Sequence, residues 1–175
     1  MDATVPEKVL KYCPKCGSAN FIVRADRSFK CGDCNFHFFV NAASAVAALI
    51  INDNGELLLT RRAMNPQKGR LDLPGGFVDP GESAEEALVR EIKEELNLQV
   101  CNYQYLISYP NEYVFAGYTV YTVDMGFRCY VKDFSVVSSN DDVSDYIFIK
   151  PKDVDLSDIW CDSIRRIIGF YIKTI

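Results

Sequence analysis

The chain has 175 residues, of which 49% are hydrophobic, and its net charge is −5. This length supports one substantial core with a small additional unit. The negative charge argues against a protein whose main role is to bind a nucleic-acid backbone. The first eight residues are polar, and the apolar run at 42–51 is too short to span a bilayer. We therefore expect a cytoplasmic protein without membrane contact.

Two CxxC pairs lie near the amino terminus, separated by fourteen residues. Cysteine pairs at this spacing are typical of a structural zinc site that four thiolates close. A redox dithiol and disulfides are the competing interpretations, and neither suits a chain without a secretion signal. The spacing predicts a small β-rich zinc ribbon over 1–40 that needs its metal to fold. Its Zn²⁺ ligands would be Cys13, Cys16, Cys31 and Cys34.

The residues after the ribbon predict a pair of strands. Apolar runs at 43–51 and 56–62 flank an Asn-Gly step, which is a strong hairpin signal. A loop is expected over 61–69. The chain contains one histidine, His37, so histidine-based catalysis is nearly excluded and any chemistry must rest on carboxylates, metal and water.

The second half predicts more strands and a terminal helix. Alternating apolar and polar residues over 100–132 indicate strands interrupted near Pro110 and Gly117. One more short strand is expected over 145–149. Apolar residues at helical spacing between 156 and 171 predict a packed amphipathic helix at the carboxyl terminus.

A helix that carries acids on its buried side is predicted between Ser83, which begins a capping box, and Asn97. Glu91 and Glu95 project beside its apolar stripe, and Glu94 lies close by. A solvated acidic surface is the alternative, and it does not suit Glu91 and Glu95. Buried charges of one sign need cations, and clustered carboxylate oxygens favour Mg²⁺ or Mn²⁺. Because Mg²⁺ commonly shares itself with phosphates, the expected substrate is a polyphosphate ester.

The run from Gly76 to Leu98 resembles the Nudix box of Nudix hydrolases. It consists of Gly, five residues, Glu, seven residues and Arg-Glu-Ile-x-Glu-Glu-x-Asn-Leu, and only Asn97 departs, standing where the family has glycine. The resemblance implies an α+β fold, a Nudix-type α/β/α sandwich with a mixed sheet over 41–175, placed after the zinc ribbon. It also implies divalent-metal-dependent hydrolysis of a pyrophosphate linkage.

The resemblance further implies roles for individual residues. Arg90 would orient a neighbouring glutamate, and Glu82 would be a supporting acid near the metal. The ligands of Mg²⁺ or Mn²⁺ would be Glu91, Glu94, Glu95 and the carbonyl of Gly75.

Two further roles stay open on the sequence. The general base in the family is either a box glutamate or an acid on a later loop, and Asp142 is the candidate here, with Asp141 and Asp145 beside it. An Asp-rich surface turn is the ordinary alternative. Basic residues before the box could meet substrate phosphates or form a solvated loop. These residues are Arg61, Arg62 and Arg70.

The substrate and the class of activity also have alternatives. A ribbon followed by a Nudix domain is similar to NADH pyrophosphatases, but residues 108–113 share only a serine and a proline with the signature of that group. NADH, ADP-ribose, another dinucleotide, a nucleotide sugar or a nucleoside triphosphate stay open, as does a homodimer. A nucleotide sensor without catalysis is the first alternative class. A nucleic-acid adaptor that uses the ribbon is the second, and the net charge disfavours it.

Overall fold

The structure is a computed structural model, and it describes residues 3–65, 67–140 and 142–175. The chain divides into two compact units. The first consists of Met1–Ala42 and Glu112–Tyr121, and the second consists of Ala43–Asn111 and Thr122–Ile175. No helix among the described residues is long and apolar enough to cross a membrane.

The first unit is built around a three-stranded antiparallel sheet. A short helix α1 (Pro6–Val9) precedes strands β1 (Phe21–Val23), β2 (Phe29–Cys31) and β3 (His37–Phe38), which pair in that order. Its core holds few side chains, which agrees with the prediction of a small ribbon that needs a metal to fold. The buried members are Cys13, Phe21, Phe29 and Cys31.

The remaining strands form two three-stranded sheets, and most of their residues belong to the second unit. In chain order the strands are β4 (Ala43–Ile50), β5 (Leu57–Arg62), β6 (Leu71–Asp72), β7 (Val100–Phe115), β8 (Tyr118–Val131) and β9 (Val143–Ile149). The first sheet has the order β4-β8-β7, with β4 parallel to β8. Only two residues join β7 to β8, a link that antiparallel strands alone allow, so this sheet is mixed. The second sheet has the order β6-β5-β9 and is antiparallel.

Two helices cover opposite faces of β4. Val46, Ala48 and Ile50 pack with helix α2 (Ala84–Leu96), whereas Ala47 and Leu49 pack with helix α3 (Asp162–Thr174). This alternation follows from the two-residue period of a strand that is buried on both faces. The predicted α/β/α sandwich with a mixed sheet is therefore confirmed.

The hairpin predicted around the Asn-Gly step is wrong. The turn forms, with the Gly55 N–H donating to the Asn52 carbonyl at 2.8 Å, but β4 and β5 belong to different sheets. One isolated bridge, between Ile51 and Leu57, joins the two ends. The hydrogen bonds of β4 go to β8 and to the segment from Pro74 to Val78, which leaves β5 to pair elsewhere.

Three smaller expectations also need correction. Pro110 does not interrupt β7, because β7 is an edge strand and a missing N–H can face away from the sheet there. The predicted loop begins only after Arg62, where β5 ends. The terminal helix begins at Asp162, and a separate 3₁₀ turn contains the earlier apolar residue Leu156.

We expect the substitution Ile92→Ala to lower the free energy of unfolding by about 2–5 kcal/mol, because Ile92 is fully buried on α2. Val89 lies on the same helix and is 40% exposed, so Val89→Ala is the matched control and should change stability by about 0.5 kcal/mol or less. Urea unfolding followed by circular dichroism measures both. Equal losses for the two variants would contradict the assigned face of the helix.

Candidate active site and candidate zinc centre

The four cysteines of the ribbon converge with the geometry of a tetrahedral metal site. Their Sγ atoms all lie within 4.8 Å of one another, with Cys13 and Cys34 at 3.7 Å and Cys16 and Cys31 at 3.6 Å. Zinc–sulfur bonds of about 2.3 Å in a tetrahedron place two sulfur atoms about 3.8 Å apart. A disulfide requires about 2.05 Å. The thiols are free and their positions fit Zn²⁺.

Local backbone structure explains why these thiols converge. Each CxxC pair forms a turn in which a following residue adopts a positive φ, Gly17 at 74° and Asn35 at 60°. In the second turn the backbone N–H groups of Cys34 and then Asp33 lower the pKa of the Cys31 thiol to about 7, although its burial opposes this. A thiol with a lowered pKa loses its proton more readily to a metal. The ring of His37 bonds instead to the Ser28 hydroxyl, 2.7 Å away.

The helix of the candidate active site begins and ends as predicted. The Ser83 hydroxyl accepts the Glu86 N–H at 3.2 Å, and the Glu86 carboxylate accepts the Ser83 N–H at 2.8 Å, which completes the capping box. Asn97 takes a left-handed conformation with φ 56°, so it replaces glycine without loss of the helix end.

Two glycines bring the backbone before α2 into close contact with its surroundings. A Cβ atom on Gly75, whose φ is 143°, would lie 2.1 Å from the Val46 carbonyl oxygen. A Cβ atom on Gly76 would lie 2.3 Å from Oε1 of Glu91. A side chain at Gly75 would push the segment away from β4, and one at Gly76 would displace the carboxylate of Glu91.

Glu95 is the most deeply placed acid of the box. It is 8% exposed, and its Oε2 accepts the Gly75 N–H at 3.0 Å. Burial raises its pKa well above the ordinary value, and the charges of Asp72, Glu91 and Asp142 raise it further, against the Gly75 hydrogen bond. A cation placed beside Glu95 would reverse this effect.

The guanidinium of Arg90 contacts the other three acids of the box. The Arg90 guanidinium lies 2.9 Å from Glu82, 2.9 Å from Glu91 and 3.1 Å from Glu94, and it donates to the Phe77 carbonyl at 3.0 Å. Its hydrogen bonds lower the pKa of Glu82. Three box carboxylates therefore share one guanidinium, and with Glu95 as a fourth acid the local charge remains negative.

The side chains of the box acids differ in solvent exposure more than the sequence suggested. The Glu91 side chain is 14% exposed, but that of Glu94 is 49% exposed. The expectation that all three acids share the inward half of α2 is wrong for Glu94, which faces solvent beside Arg90. Among the described residues, the cysteines form the only group of three or more potential ligands that converge closely. The box carboxylates bond to Arg90 and to the Gly75 amide, and their hard oxygen donors and excess negative charge fit Mg²⁺ or Mn²⁺.

The later loop brings one predicted acid toward the box. Its backbone bonds to the end of α2, with the Asn140 N–H donating to the Glu95 carbonyl at 2.9 Å. Asp142 follows and is close enough for its charge to act on Glu95. Asp145 lies on β9 opposite Arg61 and is exposed. Asp141 lies outside the described residues.

The three arginines predicted to meet phosphates all contact protein groups. Arg61 donates to the Gly69 carbonyl at 2.8 Å. Arg62 donates to Asp72 at 3.1 Å, with its guanidinium 4.3 Å from the centre of the Trp160 ring. Arg70 donates to the backbone carbonyls of residues 157 and 159. Their role toward substrate stays a prediction.

Sequence reasoning missed Asp72 and its partners. Burial raises the pKa of the Asp72 carboxyl to about 7, although the charge of Arg62 opposes this. The signal was present, because a single acid between Leu71 and Leu73 in an apolar stretch needs a partner. The first unit contains a second missed feature, a cavity of about 340 Å³ lined by the Glu7–Arg27 ion pair, by Phe39 and by Tyr121.

Purified protein is expected to contain one zinc ion per chain, measurable by atomic absorption. Cys31→Ser should remove nearly all of it and unfold the ribbon, because a structural zinc site supplies much of the folding free energy of so small a unit. Cys101 is exposed on β7, so Cys101→Ser should keep the full zinc content. Full zinc in the Cys31 variant would contradict the assignment.

Binding of Mn²⁺ should strengthen as the pH rises. Glu95 must lose its proton to ligate a cation, and its raised pKa makes that loss costly in acid. Titration by electron paramagnetic resonance between about pH 5 and 8 measures the trend, which Glu95→Gln should flatten. An affinity that does not change with pH in the unaltered protein would contradict the electrostatic description of the site.

Comparison with known proteins agrees with the box and the fold. The NUDIX domain family matches residues 42–168. An ADP-ribose pyrophosphatase of Methanocaldococcus jannaschii is 51% identical over 63 residues, which are 36% of this chain and 37% of that protein. A NAD-capped RNA hydrolase of Vibrio atlanticus is 31% identical over 103 residues, 58% of this chain and 37% of that protein. The chain therefore matches only about a third of the length of these relatives.

Solved structures show the same fold. A NUDIX hydrolase from Nitrosomonas europaea superposes with a TM-score of 0.72 at 22% identity, covering 94% of this chain and 91% of that one. The NUDIX domain of Shewanella oneidensis NrtR, solved with ADP ribose, gives 0.63 at 22% identity over 78% of this chain and 90% of that one. Since the family match includes most of the chain, the protein belongs to the NUDIX family.

Proposed function

We propose that this chain is a divalent-cation-dependent hydrolase that cleaves the pyrophosphate linkage between a nucleoside diphosphate and another group. The observation that carries the proposal is Glu95, a buried acid that accepts the Gly75 amide N–H and lies among other negative charges. Such an arrangement is costly in a folded protein unless it binds a cation. ADP-ribose and dinucleotides are the substrates the proposal favours.

The residues of the box would have separate roles in metal binding and positioning. Glu91, Glu94 and Glu95, with the Gly75 carbonyl, would hold Mg²⁺ or Mn²⁺, which when bound neutralises a diphosphate and lowers the pKa of a water. Arg90 fixes Glu91 and Glu94 through its ion pairs.

Two acids remain beside this ligand set. Glu82 accepts the Asp79 N–H at 3.1 Å and the Arg90 guanidinium, so it anchors the loop before α2. Asp142 is the proposed general base, because its loop bonds to the last turn of α2 and its charge reaches Glu95. A general base must lie within reach of the attacking water, and the proximity of Asp142 to Glu95 supports this role.

The substrate class rests on the relatives and on charge. The two relatives are named for ADP-ribose and for NAD-capped RNA, and both ADP-ribose and NAD contain a nucleoside diphosphate joined to a second group. The net charge of −5 disfavours a long RNA as the main substrate. A cytoplasmic location, a structural role for the zinc ribbon and a homodimer are further parts of the proposal.

A substrate panel tests the proposal. Purified protein is incubated with Mg²⁺ or Mn²⁺ and ADP-ribose, NADH, NAD⁺, diadenosine polyphosphates, nucleotide sugars and nucleoside triphosphates, and the released phosphates are identified. Cleavage of ADP-ribose to AMP and ribose 5-phosphate, or of a dinucleotide to two monophosphates, is expected. Tight binding without cleavage of any compound would instead support a nucleotide sensor. Salt-dependent retention of oligonucleotides without cleavage would support a nucleic-acid adaptor.

The double substitution Glu94→Gln with Glu95→Gln should abolish metal-dependent turnover and leave the fold intact. We expect a loss greater than about 100-fold, because even residues behind the ligands of a metal site typically cost 10–100-fold. Glu95→Gln alone should cost more than Glu94→Gln alone, since Glu95 is buried and Glu94 is half exposed.

The matched control is Glu85→Gln, which removes an exposed acid from the first turn of the same helix. Steady-state kinetics and thermal unfolding measure all four variants. Full activity in the double variant would refute the assignment of the box glutamates.

A further inference from the structure

We infer that Asp72 is a positioning residue that sets the Gly75–Glu95 contact through its ion pair with Arg62. The inference deepens the proposed function, since it assigns to that site a residue outside the box. The alternative is that the Asp72–Arg62 pair only stabilises the sheet formed by β5 and β6.

Both carboxylate oxygens of Asp72 are engaged at the end of β6. Oδ1 accepts the N–H of Leu73 at 2.8 Å, and Oδ2 accepts a guanidinium N–H of Arg62 at 3.1 Å. The backbone carbonyl of Asp72 accepts the Thr60 hydroxyl at 3.4 Å. The side chain is 13% exposed, so these contacts lie where water competes little.

The chain between Asp72 and Gly75 has little freedom to absorb a displacement. Leu73 is 3% exposed in the core beneath α3, and the Pro74 carbonyl accepts the Ala48 N–H at 2.8 Å. Gly75 then takes a φ of 143° against the Val46 carbonyl. A shift of Asp72 would therefore reach the Gly75 N–H, which bonds to Glu95, within three residues.

Arg62 is itself fixed on two sides. Its guanidinium lies between Asp72 and the ring of Trp160, and its backbone N–H bonds to the Arg70 carbonyl at 3.0 Å. The backbone N–H of Trp160 donates to the Leu71 carbonyl at 3.0 Å. The stack of Trp160, Arg62 and Asp72 thus connects the segment before α3 to the segment that carries Gly75.

The charge of Asp72 also acts on the box. The two carboxylates lie close enough for the charge of Asp72 to act on Glu95. A bound divalent cation would be attracted by Asp72 as well as by its ligands. The position that Asp72 gives to the backbone and the charge of Asp72 therefore both favour a cation beside Glu95.

The test compares Asp72→Asn with Asp53→Asn, which removes an equal charge from an exposed turn. Binding of Mn²⁺ is measured by electron paramagnetic resonance, without substrate, and kcat and KM are measured with the best substrate of the panel. We expect Asp72→Asn to weaken Mn²⁺ binding about 10–100-fold and Asp53→Asn to leave it unchanged. Most of the loss in kcat caused by Asp72→Asn should be recovered at saturating Mn²⁺. The variant Asp72→Glu, which keeps a carboxylate, should recover part of the Mn²⁺ affinity.

The outcomes distinguish a positioning role of Asp72 from a role in stability alone. A lower melting temperature in Asp72→Asn with unchanged Mn²⁺ affinity would overturn the inference. If that variant fails to fold, Arg62→Lys keeps the charge but loses the planar guanidinium, and it should weaken Mn²⁺ binding several-fold; unchanged binding there would also overturn the inference. Trp160 is the only tryptophan of the chain, so its emission reports whether the stack persists.

Failure of the inference can be distinguished from failure of the proposed function. An unaltered protein that binds Mn²⁺ but cleaves no compound contradicts the function, and the effect of Asp72→Asn on Mn²⁺ affinity still decides the inference. An active protein whose Mn²⁺ affinity does not depend on Asp72 retains the function and loses the inference. An unaltered protein that binds no Mn²⁺ overturns the inference.

Discussion

The candidate active site depends on a buried carboxylate, Glu95, that accepts the Gly75 amide N–H and lies among an excess of negative charge. Burial alone raises the pKa of Glu95, and the neighbouring acids raise it further. Hydrophobic packing of α2 against β4 holds the carboxylate in place at this electrostatic cost. Ala87, Leu88, Ile92 and Leu96 are fully buried on the same helix, and their burial offsets the cost of the acid.

The backbone on the opposite side of the site is as constrained as the helix. Gly75 admits no side chain, because a Cβ atom would meet the Val46 carbonyl, and a Cβ atom on Gly76 would displace the Glu91 carboxylate. The carbonyls of Pro74 and Gly76 bond to β4, which is itself parallel to β8 in the mixed sheet. The sheet therefore fixes the loop, and the loop fixes the distance between its amides and the acids of α2. Arg90 completes the arrangement by keeping Glu82, Glu91 and Glu94 at defined positions.

Features set by short-range chemistry could be predicted from the sequence. The capping box at Ser83, the left-handed Asn97 and the convergence of the four cysteines each depend on a few neighbouring residues or on a fixed spacing. Helical periodicity also placed Glu91 and Glu95 toward the core, although it misplaced Glu94. Features that depend on distant partners could not be predicted in the same way.

The pairing of β4 illustrates this limit. A strong turn signal after β4 indicated a hairpin, but parallel pairing with β8, more than seventy residues later, took its hydrogen bonds. Asp72 is similar, because its significance comes from Arg62 on a neighbouring strand and from Trp160 before α3.

Diffraction from crystals soaked in Mn²⁺ tests the central claim most directly. We expect anomalous density about 2.0–2.3 Å from carboxylate oxygens of Glu91 and Glu95, with Arg90 still paired to Glu82. Crystals without such density, in which Glu95 keeps its bond to the Gly75 amide at saturating Mn²⁺, would contradict the assignment of these acids as ligands.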